Sequence, residues 1–214
     1  MLQNHLSHTI SYLLYVFMIA GILAASISGA TRAIEAKMDI TGAILLAFIT
    51  SNAGGTIRDL IIQAPVFWVH EQLYIWLSVI SGLLTFIVIY LNRKALGNAN
   101  IRKILIVTDA MGLAAFSIVG VQRSLTFGHS EALAIIMGVW TAIGGGMISD
   151  VIANRVPLVF SQELYITVSF LGSLGYLIIS LITNNIFASI ISCVFMIFLR
   201  LYSVKFKLNL PKIF

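Results

Sequence analysis

The chain has 214 residues, 59% of them hydrophobic and only 10% charged, with a mean hydropathy of +1.01. A soluble domain carries roughly 25% charged residues, so a soluble fold is excluded and a polytopic membrane protein is required. The formal charge is +5, and the one cysteine, Cys193, precludes an intrachain disulfide.

A helical span needs about 20 apolar residues, and in lipid only helices or a closed barrel satisfy the backbone. The runs here are too long and too evenly apolar for barrel strands. The first predicted span covers 9–30. Only His5 and His8 precede its core, with no basic leader, and it is too long for a signal-peptide core, so it reads as retained. The second covers 40–62 and holds Gly54-Gly55-Thr56-Ile57-Arg58-Asp59, followed by Pro65. The third covers 72–91. A basic loop with Arg93, Lys94, Arg102 and Lys103 leads into the fourth, 103–122, which carries Asp109. The fifth, 131–153, holds Gly144-Gly145-Gly146-Met147-Ile148-Ser149-Asp150, followed by Pro157. The sixth and seventh cover 162–182 and 185–203, and a basic tail fills 204–214.

The second and fifth spans are copies. Gly54, Gly55, Ile57 and Asp59 recur 91 residues later as Gly145, Gly146, Ile148 and Asp150. The same offset relates Gly21, Ala24, Ser26, Gly29, Arg32 and Thr50 to Gly112, Ala115, Ser117, Gly120, Arg123 and Thr141. With the N-terminus outside, eleven of the thirteen Lys and Arg residues fall on the cytoplasmic side, and only Arg123 and Arg58 fall outside. That is a positive-inside pattern. Three spans per copy then invert the second repeat against the first. The expected fold is all-α and polytopic: seven transmembrane helices, with repeat 1 at about 9–91, repeat 2 at about 103–182 and an extra helix at about 185–203. All form one domain, with the N-terminus outside and the C-terminus cytoplasmic.

The chemistry lies in the copied cassettes. Glycines weaken a helix by roughly 1 kcal/mol each, and a kink or unwound turn at Gly54-Gly55 or Gly144-Gly145-Gly146 exposes carbonyls that suit a cation. The alternative is close helix packing by small residues. Asp59 and Asp150 are costly in a bilayer; either they face a wet cavity or they form ion pairs at helix ends. Gln63 and Asn154, one helical turn on and on the same face, extend a polar stripe. Arg58 neighbours Asp59 at about 100° around a helix, an angle at which the two do not simply pair. Asp109 has Met18 as its counterpart and either reaches Lys103 or Arg102 or lines a pathway. Arg32 and Arg123 read as interfacial anchors or as brackets of that pathway. No histidine, cysteine or carboxylate cluster forms an enzyme signature, and no cofactor or nucleic-acid partner is expected.

Seven spans, an inverted three-plus-three repeat, glycine-broken spans 2 and 5 with Gly-Gly-x-x-Arg/Ser-Asp, and a following proline resemble the prokaryotic relatives of the trimeric intracellular cation channels. The same bacterial families are labelled glycine transporters. The resemblance implies a homotrimer in the inner membrane with one pore per protomer through spans 1, 2, 4 and 5, conducting K⁺ and Na⁺ past Gly54-Gly55 and Gly145-Gly146. A transient ion is expected near Gly54 and Gly145, with Thr50, Ser51, Thr56, Thr141 and Ser149 lining the constriction. Asp59, Asp150 and Asp109 would favour cations, and Arg58 and Arg123 would gate. A carrier for a small zwitterion such as glycine is the alternative, and a lipid-binding assembly protein using Arg93, Lys94, Arg102 and Lys103 is a third.

Overall fold

A computed structural model describes residues 2–92, 99–161 and 164–208, with side chains described at 12, 14–92, 106–157, 159, 160 and 164–208. Arg93 and Lys94 therefore lie outside the described residues, as do the side chains of Arg102 and Lys103 and the tail from 209 onward. Every described element is helical: α1 (Leu2–Glu35), α2 (Ile40–Ile61), α3 (Phe67–His70), α4 (Leu73–Leu91), α5 (Ala99–Thr126), α6 (Glu131–Ile152), α7 (Leu158–Ser161), α8 (Tyr165–Ser180) and α9 (Asn185–Phe206).

Six helices are long and apolar enough to cross a membrane: 14–35, 40–61, 73–91, 106–126, 131–152 and 185–206. The predicted span 162–182 is shorter than expected. Its helix α8 has 16 residues, about 24 Å against a hydrocarbon core of roughly 30 Å. The one-turn helices α3 and α7 were not anticipated; each follows a cassette proline, Pro65 or Pro157.

Local chemistry sets the helix ends. Asp39 caps α2 by accepting from the Gly42 amide at 2.8 Å, and Ser130, 91 residues on, accepts from Leu133 at the start of α6 at 3.4 Å. Asn184 caps α9 through the Phe187 amide at 3.0 Å. Each side-chain oxygen satisfies an amide that lacks a partner within the helix.

Helices α1, α2, α6 and α5 form a ring in which each packs on the next. Helix α4 covers α1 and α2, whereas α8 and α9 cover α5 and α6. Small residues let the ring close tightly. A β-carbon on Gly29 would collide with the Leu46 carbonyl and the Thr50 hydroxyl; on Gly120 it would stand 2.6 Å from the Met137 carbonyl and 2.7 Å from the Thr141 hydroxyl. These two contacts are the same contact displaced by 91 residues. Backbone approach of this kind drives helix association where no hydrophobic effect operates between helices.

Candidate functional site

Asp59 and Asp150 stand in the last turns of α2 and α6. Both helices then stop. Gln63 and Asn154 each adopt φ = +54°, the amide of Ala64 returns to the Asp59 carbonyl at 2.8 Å, and that of Arg155 to the Asp150 carbonyl at 2.8 Å. This left-handed closure ends the helical face, so the expected polar stripe from aspartate to amide does not form. Of the two sequence alternatives, the helix end is where the carboxylates lie. There they oppose the negative end of the helix dipole, and their burial demands cationic partners.

The partners come crosswise from the matched arginines. Arg123 of α5 donates from Nε to Asp59 Oδ1 at 2.8 Å and from Nη2 to the Pro65 carbonyl at 2.8 Å. Arg32 of α1 places Nε 3.4 Å from Asp150 Oδ1. The arginine of each first helix thus neutralises the aspartate of the other copy, Arg32 from a buried position and Arg123 from a partly exposed one.

The Asp59 end holds a second cation. Arg58 Nε donates to Asp59 Oδ1 at 2.9 Å, and its Nη2 lies 2.8 Å from the same oxygen, off the hydrogen-bond direction. The expectation that these neighbours do not pair is therefore wrong. Both side chains are 0% exposed, and the long arginine folds back at the helix end to the nearest carboxylate, because leaving its charge unpaired costs more than the bend. The Phe67 amide, opening α3, donates to Asp59 Oδ2 at 2.9 Å, and the Phe67 ring lies 5.7 Å from the Arg58 guanidinium carbon.

At the Asp150 end the extra group is acidic. Asp109 Oδ1 accepts from the Tyr165 hydroxyl at 2.9 Å. Arg32 Nη2 and Arg200 Nη2 each stand 3.8 Å from its carboxylate, and the Arg200 guanidinium lies 4.4 Å over the Tyr165 ring. Arg200 is buried in α9 and Tyr165 in α8. Sequence reading counted Arg200 only among cytoplasmic charges and overlooked Tyr165. The available signal was an arginine within an apolar span, which needs a buried acid, and Asp109 was the acid without a duplicated partner.

Between the two ends α2 and α6 cross at their glycines. Helical hydrogen bonding runs unbroken through Gly54-Gly55 and Gly144-Gly145-Gly146, so the expected unwound turn with free carbonyls does not form. A β-carbon on Gly54 would stand 2.5 Å from the Thr141 carbonyl, and one on Gly145 would collide with the Thr50 carbonyl. The glycines admit a neighbouring backbone. Gly55 similarly makes room for the Phe67 ring, 2.6 Å from a β-carbon placed there, and Gly146 for Arg32 Nη1, at 3.3 Å.

The hydroxyls divide. Thr50 and Ser149 bond each other across the crossing, while also lying within reach of the Leu46 and Gly145 carbonyls. Two hydroxyl protons serve three contacts there, so the pair can reorient. Ser51 is held inside α2 by the Ala47 carbonyl and Asn52, Thr141 bonds the Met137 carbonyl at 2.6 Å, and Thr56 accepts from Trp68 Nε1 at 2.8 Å.

Two cavities flank this crossing. At the Asp59 end a partly open vestibule of about 490 Å³ is lined by Met18, Arg58, Phe67, Tyr74, Val119 and Arg123, among others. Toward the Asp150 end a pocket of about 20 Å³ is lined by Ser28, Arg32, Thr50, Asp109, Phe116 and Tyr165, among others; that is room for about one water. Along α5, Asp109, Gly112, Phe116, Val119 and Arg123 follow helical spacing from one cavity to the other. Phe116 lies between them, its ring 2.5 Å from where a β-carbon on Gly21 would stand.

The sequence model of a family described as "Glycine transporter" matches this chain twice, at residues 15–90 and 106–181, both bounds displaced by 91. The chain is 35% identical over 208 residues to a UPF0126 membrane protein of Vibrio cholerae, covering 93% of this chain and 82% of that one. It is 31% identical over 204 residues to the UPF0126 inner membrane protein YadS of Escherichia coli, covering 93% and 95%. Among solved structures, the TRIC trimeric intracellular cation channel orthologue from Rhodobacter sphaeroides superposes with a TM-score of 0.83 at 29% identity, covering 91% of this chain and 98% of that one.

Proposed function

Because the chain belongs to the glycine transporter family, the bacterial family of TRIC-type channels, we propose that it is a cation channel of the inner membrane, carrying K⁺ and Na⁺ through one pathway per protomer of a homotrimer. The observation that carries this reading is the row of α5 residues that runs from the lining of one cavity to the lining of the other within the four-helix ring. In the proposed topology seven helices cross the membrane, with α8 the shortest, and the two copies lie inverted. The family model's double match and the recurrence of contacts at the 91-residue offset support that arrangement. The excess of basic residues on one side supports an outside N-terminus.

The pathway runs from the vestibule past Phe116 to the small pocket, and the resting state is closed by that ring, an apolar constriction of the kind that gates by dewetting. Cation preference rests on Asp109, whose side chain is 18% exposed, more than on Asp59, which two arginines and an amide occupy fully. The reorienting Thr50–Ser149 hydroxyls serve a passing ion in place of free carbonyls, near the position expected beside Gly54 and Gly145. Purified protein in a planar bilayer tests this: unitary cation currents are expected. Phe116→Ala should raise open probability, and Asp109→Asn should lower cation over chloride permeability by severalfold.

The family's description favours one second reading, a carrier for glycine, whose carboxylate and ammonium would take an arginine and an aspartate. Saturable glycine counterflow without unitary currents would sink the channel reading and establish this one.

A further inference from the structure

We propose that the vestibule at the Asp59 end is a binding site for an anionic amphiphile, a molecule with one phosphate or carboxylate head and an apolar body. The head would lie against Arg58 and Arg123, and the body against Met18, Phe67, Tyr74 and Val119.

The argument begins with charge. The floor cluster has two guanidiniums and one carboxylate, Asp59. The cluster at the other end has two guanidiniums, Arg32 and Arg200, and two carboxylates, Asp109 and Asp150. One end is balanced, and the other keeps a positive charge that is expensive at membrane depth. The Arg58 side chain is 0% exposed, and its Nη1 has no hydrogen-bond partner among the described residues. A buried, unpartnered donor of a charged group calls for an acceptor. Glu71 and His70 also line the vestibule, but both are exposed, where water and salt screen them.

The cavity supplies the rest. At about 490 Å³ it has the size of a small-molecule site, and its exposed lining is mainly apolar, with Tyr74 and Phe67 in ring contact at 5.4 Å. Inorganic phosphate alone would leave those walls wetted, and a neutral amphiphile would leave the guanidinium unpaired. An oxyanion with an apolar body satisfies both, and guanidinium–oxyanion bonds are among the stronger ones available. The vestibule is also the mouth of the proposed pathway, so a bound amphiphile would sit in it, but binding is measured whether or not ions pass.

Calorimetric titration of the full chain in a neutral maltoside detergent tests this, with dihexanoyl phosphatidylglycerol, decanoate, inorganic phosphate and dihexanoyl phosphatidylcholine as probes. At least one of the first two should bind, with inorganic phosphate and the phosphatidylcholine about tenfold weaker or worse. The tighter of the first two tells whether the head belongs to a bilayer lipid or to a soluble acid. Arg58→Met should weaken binding about tenfold or more. Thr126→Trp should abolish it by filling the cavity from an exposed position whose hydroxyl bonds only its own helix. Should Arg58→Met fail to fold, Thr126→Trp decides. The proposal is overturned if neither anionic amphiphile binds, if the phosphatidylcholine or inorganic phosphate matches them, or if Thr126→Trp leaves binding intact.

Discussion

The two ends of the ring share a scaffold and differ in how firmly their charges are tied. At one end Asp59 takes Arg58, Arg123 and the Phe67 amide, all at 2.8–2.9 Å. At the other, Arg32 stands 3.4 Å from Asp150 and 3.8 Å from Asp109, shared between two acids rather than locked to one. The difference arises at two positions where the copies disagree: Arg58 against Ser149, and Asp109 against Met18. An added cation tightens one helix end, while an added acid divides the attention of an arginine at the other. The Asp59 end has the character of a structural latch, whereas at the other end one arginine serves two acids.

Removing one carboxylate from each end measures that difference most directly. Asp59→Asn leaves the buried Arg58 and the partly exposed Arg123 without their anion and should cost about 3–5 kcal/mol. Asp150→Asn leaves Arg32 still facing Asp109, and its cost should be nearer 1–3 kcal/mol. Thermal unfolding of the two variants in the same detergent gives the comparison. Equal losses would mean that the ends are equally tied and that the distances mislead.

The glycine crossing, by contrast, should treat both copies alike. Gly54→Ala and Gly145→Ala each drive a methyl into a facing carbonyl, an overpacking that costs about 1–3 kcal/mol. Gly175→Ala on α8 meets nothing within 4 Å and should be neutral or stabilising by a few tenths of a kcal/mol. A tolerated Gly145→Ala would remove the close crossing as the reason for these glycines.

Much of this was legible in the chain itself. The apolar runs located α1, α2, α4, α5, α6 and α9, because membrane burial imposes a length and a composition that few other constraints disturb. The 91-residue offset picked out Arg32, Arg123, Asp59 and Asp150, and all four are charged side chains paired inside the ring. What escaped is geometry across helices. Nothing in sequence spacing says that Arg32 pairs with Asp150 rather than with an acid of its own copy. Gln63 and Asn154 are common helical residues at i+4, and only the left-handed turn they adopt reveals a helix end. Arg58 and Asp59 diverge on an ideal helix, but at its last turn the reach of three methylenes to Nε overrides that angle. Arg200 comes from α9, outside the repeat, so no internal comparison pointed to it; Tyr165 does match Tyr74 at the 91-residue offset, a signal that was overlooked.

A more modest loss is expected at a tie present at one end only. Trp68 Nε1 donates to the Thr56 hydroxyl, fastening α3 onto α2 beside the Asp59 cluster, and its ring meets Phe48 edge-on at 5.4 Å. The positions 91 residues on are Met147 and Val159, which can make no such bond. Thr56→Val keeps the side-chain shape, removes the acceptor and leaves the indole N–H half-buried without its partner. A loss of about 1 kcal/mol follows, together with a change in tryptophan emission as Trp68 finds water or a new acceptor. If the tie helps to hold α3, the Phe67 amide should also become less protected from hydrogen exchange, because its bond to Asp59 depends on where α3 sits. An emission change without loss of that protection would show that Asp59 alone anchors α3, and that the firmness of this end comes from its charges and not from the indole.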